Sequence, residues 1–153
     1  MYRRILLALD GSAMAEQALP VAVNHANTFQ SELYLIRVIS PLIESYRTGM
    51  ATRSAIERAE EQLRVIAEDY LEGIANKLRE DNVEVRIATQ IGIPYKEITS
   101  FSDQNNIDLI VMSTRGESGF TRWMLGSNTD HVIRGTNVPV LVVPAIYGQN
   151  ENT

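Results

Sequence analysis

The sequence predicts an α/β fold: one open, parallel five-stranded sheet of strand order 3-2-1-4-5 with helices on both faces. Three observations lead there. The run Ile5 to Leu9 is continuously apolar and Ile107 to Met112 is apolar apart from Asp108, as strands covered on both faces must be. Between the runs lie helical stripes with apolar residues at steps of three and four. Strands and helices alternate along the chain, and such alternation packs through right-handed crossovers into a parallel sheet. A chain of 153 residues suits one well-cored domain, here 1–144, with a polar tail, 145–153.

Taken in order, Ile5 to Leu9 is the first strand, and Asp10-Gly11-Ser12 turns the chain into a helix with Ser12 as N-cap. Ala15, Ala18, Leu19, Ala22, Val23 and Ala26 give that helix one buried face, and Pro20 inside it predicts a kink between Glu16 and Pro20. Glu32 to Ile39 is the second strand. The stretch Leu42 to Arg53 carries Gly49 and no clear period, which reads as a mobile connection. The next element is a long helix over Ser54 to Arg79, striped by Ile56, Ala59, Leu63, Ile66, Ala67, Tyr70, Leu71, Ile74 and Leu78. Its carboxylates Glu57, Glu60, Glu61, Glu68 and Asp69 fall mostly off the stripe, so they read as a solvated face rather than a metal site.

Val83 to Gln90 alternates apolar with polar residues, which marks a strand with one face near solvent, hence an edge. Pro94 sits in the first turn of the next helix, which ends at Asn105-Asn106. After the fourth strand, Ile107 to Met112, the last helix runs from Asn128 to Arg134, with Ser127 as N-cap and Gly135 as C-terminal cap. The fifth strand, Val138 to Val143, contains Pro139, which cannot donate to a ladder, so the strand should lie at an edge or pair only weakly at that point.

Composition narrows the function. A hydrophobic fraction of 44% with 22% charged residues belongs to a globular protein. The net charge of −5 argues against nucleic acid as a partner, since that binding needs a basic face. The absence of cysteine excludes disulfides, thiol nucleophiles and cysteine-based zinc sites. Ile5 to Leu9 is too short for a signal peptide or a membrane span, so the expectation is a cytoplasmic protein with no membrane partner. No phosphate loop of the GxxxxGK[ST] type, no GxGxxG and no HExxH is present, and no nucleophile has an evident paired base.

In the order 3-2-1-4-5, strands 1 and 4 are neighbours whose connections leave to opposite faces, so their carboxyl ends open a crevice. Asp10 stands at that edge, either to bond the turn and cap the helix or to meet a ligand. The loop after strand 4 carries Gly116, Gly119 and Gly126 among Ser113, Thr114, Ser118, Thr121 and Ser127, with Arg115 and Arg122. Glycines let a backbone approach phosphate oxygens, and a helix N-terminus adds unpaired N–H groups and partial positive charge. An ordinary glycine-containing surface loop has the same composition. Phe120 and Trp123 read as packing anchors, and His25 and His131 as surface or packing histidines.

Gly116, nine residues, and then Gly126-Ser127 resembles the nucleotide loop of the universal stress protein family, whose ATP-binding pattern is glycine, two residues, glycine, nine residues, glycine, then serine or threonine. The first position here is Ser113, which puts a side chain where the pattern has none. The resemblance extends from MYRRILLALDGSAMAEQAL to NVPVLVVP. It implies a Rossmann-like fold of the adenine nucleotide alpha hydrolase type. It further implies binding of ATP, or of AMP or ADP; if a metal ion joins, hard-cation chemistry makes it Mg²⁺ or Mn²⁺ bridging phosphate oxygens, with few protein ligands. Asp10, Ala8, Leu9 and the main chain of Val38 would meet the adenine end. Met112, Ser113, Arg115, Gly116, Gly126, Ser127, Asn128 and Thr129 would make up the rest of the site. The resemblance also implies a homodimer through the fifth strand and a regulatory or protective role. Two other readings stay open: a slow enzyme, either an ATP hydrolase or a phosphotransferase that phosphorylates itself on Ser118, Ser127 or a nearby hydroxyl, and a dimeric interaction module without nucleotide.

Overall fold

A computed structural model describes residues 1–114 and 125–146. Its strands are β1 (Arg4–Ala8), β2 (Glu32–Ile39), β3 (Val85–Ile91), β4 (Leu109–Ser113) and β5 (Val140–Val143). They form one all-parallel sheet in the order β3-β2-β1-β4-β5, with Leu6 in register between Tyr34 and Ile110. The order expected from the sequence is therefore the order observed, and both alternating or proline-bearing segments lie at the edges.

Side chains alternate across each strand, which splits the core into two layers. On one face Ile5, Leu7, Leu33, Leu35, Leu109 and Val111 pack under α1 (Ala13–Glu16), α2 (Leu19–Phe29) and α4 (Arg53–Glu80). On the other, Leu6, Tyr34, Ile36, Ile110 and Met112 pack under α5 (Pro94–Gln104) and α6 (Ser127–Gly135). Leu6, Leu7, Leu35, Ile110 and Val111 have essentially no exposed surface. Each such burial is worth about 1.5–3 kcal/mol, which is why β1 from Ile5 to Ala8 and β4 from Leu109 to Met112 carry only apolar residues.

Four local expectations are corrected. The first helix is not kinked at Pro20 but broken: α1 closes with Gln17 and Ala18 N–H groups bonded to the Met14 and Ala15 carbonyls at 3.3 and 3.2 Å, and Pro20 stands in the first turn of α2. Proline lacks the N–H that a first turn leaves unpaired anyway, and its fixed φ suits that position. The stretch 42–53 holds a short helix, α3 (Ile43–Arg47), fixed to α4 where the Leu42 N–H donates to Glu60 Oε1 at 2.8 Å. Ser127 is the first residue of α6 and Gly126 its N-cap, while Gly135 is still helical and Thr136 is the C-cap. Finally, β5 starts at Val140, after Pro139, whose carbonyl still accepts from the Ile110 N–H at 2.9 Å.

Candidate functional site

The carboxyl ends of β1 and β4 lie side by side, and short polar bonds fix the backbone just beyond each strand. After β1, the Leu9 N–H donates to the Ile36 carbonyl at 2.9 Å, and Asp10 begins the turn. Asp10 Oδ1 accepts from the Ser12 N–H at 2.9 Å and from the Ser12 hydroxyl at 2.5 Å. Ser12 Oγ in turn accepts from the Ala15 N–H at 3.1 Å, capping α1. Gly11 between them has φ +87°, a left-handed conformation that glycine adopts without strain.

After β4, Thr114 joins three segments. Its N–H donates to the Val143 carbonyl at 2.9 Å, its hydroxyl accepts from the Ala145 N–H at 2.9 Å, and its carbonyl accepts from the Gly126 N–H at 2.7 Å. The start of α6 is thereby held against the end of β4. Thr129, buried in the first turn, adds a hydroxyl bond to the Ser113 carbonyl at 3.0 Å. The N-cap, Gly126, has no side chain to cap α6, and the leading N–H groups of the helix border the space above the sheet.

That space is a crevice of two compartments. The inner one, about 100 Å³, is lined by Ala8, Leu9, Asp10, Val38, Met112, Ser113, Asn128 and Thr129, with Ile36, Pro94 and Ile98 completing an apolar wall. The outer one, about 410 Å³, shares Asp10, Val38, Pro94, Asn128 and Thr129 and adds Gly126, Ser127, Arg37, Ser40, Leu63 and Ile66. Its volume lies within the range of about 300–1,000 Å³ usual for small-molecule sites. An apolar slot opening into a chamber flanked by a helix N-terminus and a guanidinium can hold a flat heterocycle joined to an anion.

The ten site residues named from the sequence that fall among the described residues all line this crevice. Arg115 and Gly116 lie outside the described residues, as do Ser118, Gly119, Phe120, Thr121, Arg122 and Trp123. Sequence reasoning missed Ile36, Pro94 and Ile98, which enter because α5 starts at the carboxyl edge of β3 and leans over β2. It also missed Arg37, although a lone charge inside the strand ELYLIRVI was a signal. Both histidines are held locally: His25 Nδ1 lies 2.9 Å from the Val21 carbonyl, and His131 Nδ1 2.6 Å from the Ser127 carbonyl with its ring stacked on Tyr95. Among the described residues, no group of three or more His, Asp and Glu side chains could hold a metal ion, and no helix is long and apolar enough to cross a membrane.

Beside the outer compartment, Tyr70 of α4 donates its hydroxyl to Glu16 Oε1 at 2.7 Å. Burial pushes the phenol pKa well above its ordinary 10.0, and the Glu16 carboxylate raises it further.

An open parallel sheet whose connections reverse direction beside its first strand, with a crevice over the reversal, defines a doubly wound α/β protein of the kind that takes ligands at the strand ends. Within that class, this chain belongs to the universal stress protein family, whose family model matches residues 1–144. It is 32% identical over 145 residues to universal stress protein MJ0531 of Methanocaldococcus jannaschii, covering 94% of this chain and 82% of that one. Protein MJ0577 of the same organism has a solved structure similar to this one at 27% identity and a TM-score of 0.77, covering 95% of this chain and 98% of that one. Two more distant structures share the fold. A universal stress protein in complex with cAMP matches at 21% identity and a TM-score of 0.62, covering 95% and 98% of the two chains. One from Archaeoglobus fulgidus in complex with dAMP matches at 22% and 0.59, covering 92% and 97%.

Proposed function

We propose that this chain binds an adenine nucleotide, ATP, in the crevice between β1 and β4, and that its role is regulatory or protective. The observation that carries the reading is the convergence of three separate segments, Ala8 to Asp10, Met112-Ser113 and Gly126 to Thr129, on one crevice with an apolar inner and a polar outer compartment. In this reading the adenine lies in the inner slot, read by main-chain groups near Val38 and by Asp10. The phosphates lie in the outer chamber against the N-terminus of α6, with Arg115 and Gly116 supplying the rest of the cradle. That relatives of this fold have been solved with dAMP and with cAMP supports the adenine part of the proposal. The size of the outer chamber supports a longer phosphate chain.

A divalent ion, Mg²⁺ or Mn²⁺, would be held chiefly by phosphate oxygens, since no acidic cluster among the described residues offers a cage. Nucleotide binding would act by ordering the surface around the crevice and so changing the face offered to a partner. The same reading has the protein in the cytoplasm as a homodimer through β5, whose half-buried residues Val140 to Val143 sit at an open edge of the sheet.

Calorimetric titration of ATP with Mg²⁺ into nucleotide-stripped protein tests the reading, with Gly126→Val as control. Saturable binding that the variant loses while staying folded is the expected result. Absence of binding at millimolar ATP removes the nucleotide and leaves a dimeric interaction module.

A further inference from the structure

Arg37 is the one basic residue within β2, and alternation turns it away from Val38, toward α4 and the turn after β1. Its guanidinium carbon lies 5.0 Å from the centre of the Tyr70 ring, a cation–π contact. Gly11 also lies close, and a Cβ there would come to 3.0 Å from the guanidinium. The guanidinium thus lies against both a ring and a glycine, and the ring is itself fixed by its hydrogen bond to Glu16. Among the described residues Arg37 takes part in no ion pair within 4.0 Å. It borders the outer compartment, facing the chamber that the N-terminus of α6 bounds from the other side.

Holding a guanidinium in a fixed pose costs side-chain entropy, and a charge whose partner is a ring rather than a carboxylate keeps its capacity for an anion. A pre-positioned cation over a chamber already polarised by a helix N-terminus is instead suited to an anion, because the ordering cost is met before the ligand arrives. Arginine's planar fork also matches phosphate oxygens better than a lysine ammonium does. We propose that Arg37 contacts a phosphate of the bound nucleotide and sets the preference of the site for phosphorylated over unphosphorylated adenosine. The inference rests on the adenine-nucleotide reading given above.

The test titrates ATP and adenosine separately into wild type, Arg37→Met and Arg37→Lys at low and high salt, with circular dichroism and melting to confirm folding. Arg37→Met keeps the apolar stem and removes the charge. It should lose roughly tenfold in ATP affinity at low salt, with a shallower salt dependence, while adenosine affinity stays unchanged. Arg37→Lys should recover part of the ATP affinity. Equal losses for ATP and adenosine would make Arg37 a shaper of the crevice and overturn the inference, as would an Arg37→Met variant that binds ATP like wild type. Wild type that binds neither ligand would overturn the nucleotide reading itself, and the inference with it.

Discussion

Thr129, in the first turn of α6, donates its hydroxyl to the main-chain carbonyl of Ser113 at the end of β4, 3.0 Å away and out of contact with solvent. The bond fixes where the helix N-terminus stands relative to the sheet edge. Thr129→Val keeps the shape and removes the donor, so the Ser113 carbonyl loses this buried bond. The expected cost is about 1–3 kcal/mol, read as a lower urea midpoint with an unchanged slope. Thr129→Ser should restore most of it.

Gly11 combines φ +87° with a guanidinium pressed against its open side. Gly11→Ala should therefore cost about 1–2 kcal/mol, from the left-handed backbone that alanine resists and from the displaced Arg37 side chain. Thermal unfolding measures the loss. A melting temperature equal to wild type would mean that the turn relaxes freely.

The Tyr70 phenol titrates above its ordinary 10.0 in the folded protein, so folding favours its protonated form. That contribution is fully present below pH 10 and is lost as pH rises beyond it. Tyr70→Phe removes both the bond to Glu16 and the titration. The variant should be less stable than wild type at neutral pH, and the gap should narrow from about pH 10 upward in urea unfolding at several pH values. A gap that stays constant across that range would contradict the assignment.

At the opposite end of the sheet, Glu32 is only 12% exposed, pairs with Arg4 at 3.4 Å and with Arg86, and accepts from the Tyr34 hydroxyl at 2.9 Å. Glu32→Gln leaves two cations facing a neutral amide. A loss of about 1–2 kcal/mol is expected, with no effect on nucleotide affinity because the crevice lies at the other edge.

The sheet order was legible because the strands differ in kind. Ile5 to Leu9 and Leu109 to Met112 are apolar throughout and had to be central, while the alternation after Val83 and the presence of Pro139 marked the edges. Placement of Asp10, Ser113 and Gly126 around one crevice then came from topology, since they stand at strand ends that the order makes neighbours. Less legible were features decided by tertiary contact. The apolar period runs unbroken across Pro20, so nothing in the stripe shows that one helix ends and another begins. The helix Ile43–Arg47 is too short to show a period and depends on the Leu42 bond to Glu60. Whether Ser127 caps α6 or opens it turns on where Thr114 holds Gly126, a contact between residues that the sequence places twelve apart. Arg37 could be seen in the sequence as an anomaly, but its pose depends on Tyr70, far along the chain.

The central claim is that adenine nucleotide occupies the crevice between β1 and β4, and amide chemical shifts of ¹⁵N-labelled protein during titration with ATP test it most directly. The account predicts saturable shifts concentrated at Leu9 to Ser12, Val38 and Gly126 to Thr129, with β3 and the surface of α4 distant from the crevice unmoved. Saturable shifts centred elsewhere, with those amides unchanged, would contradict it.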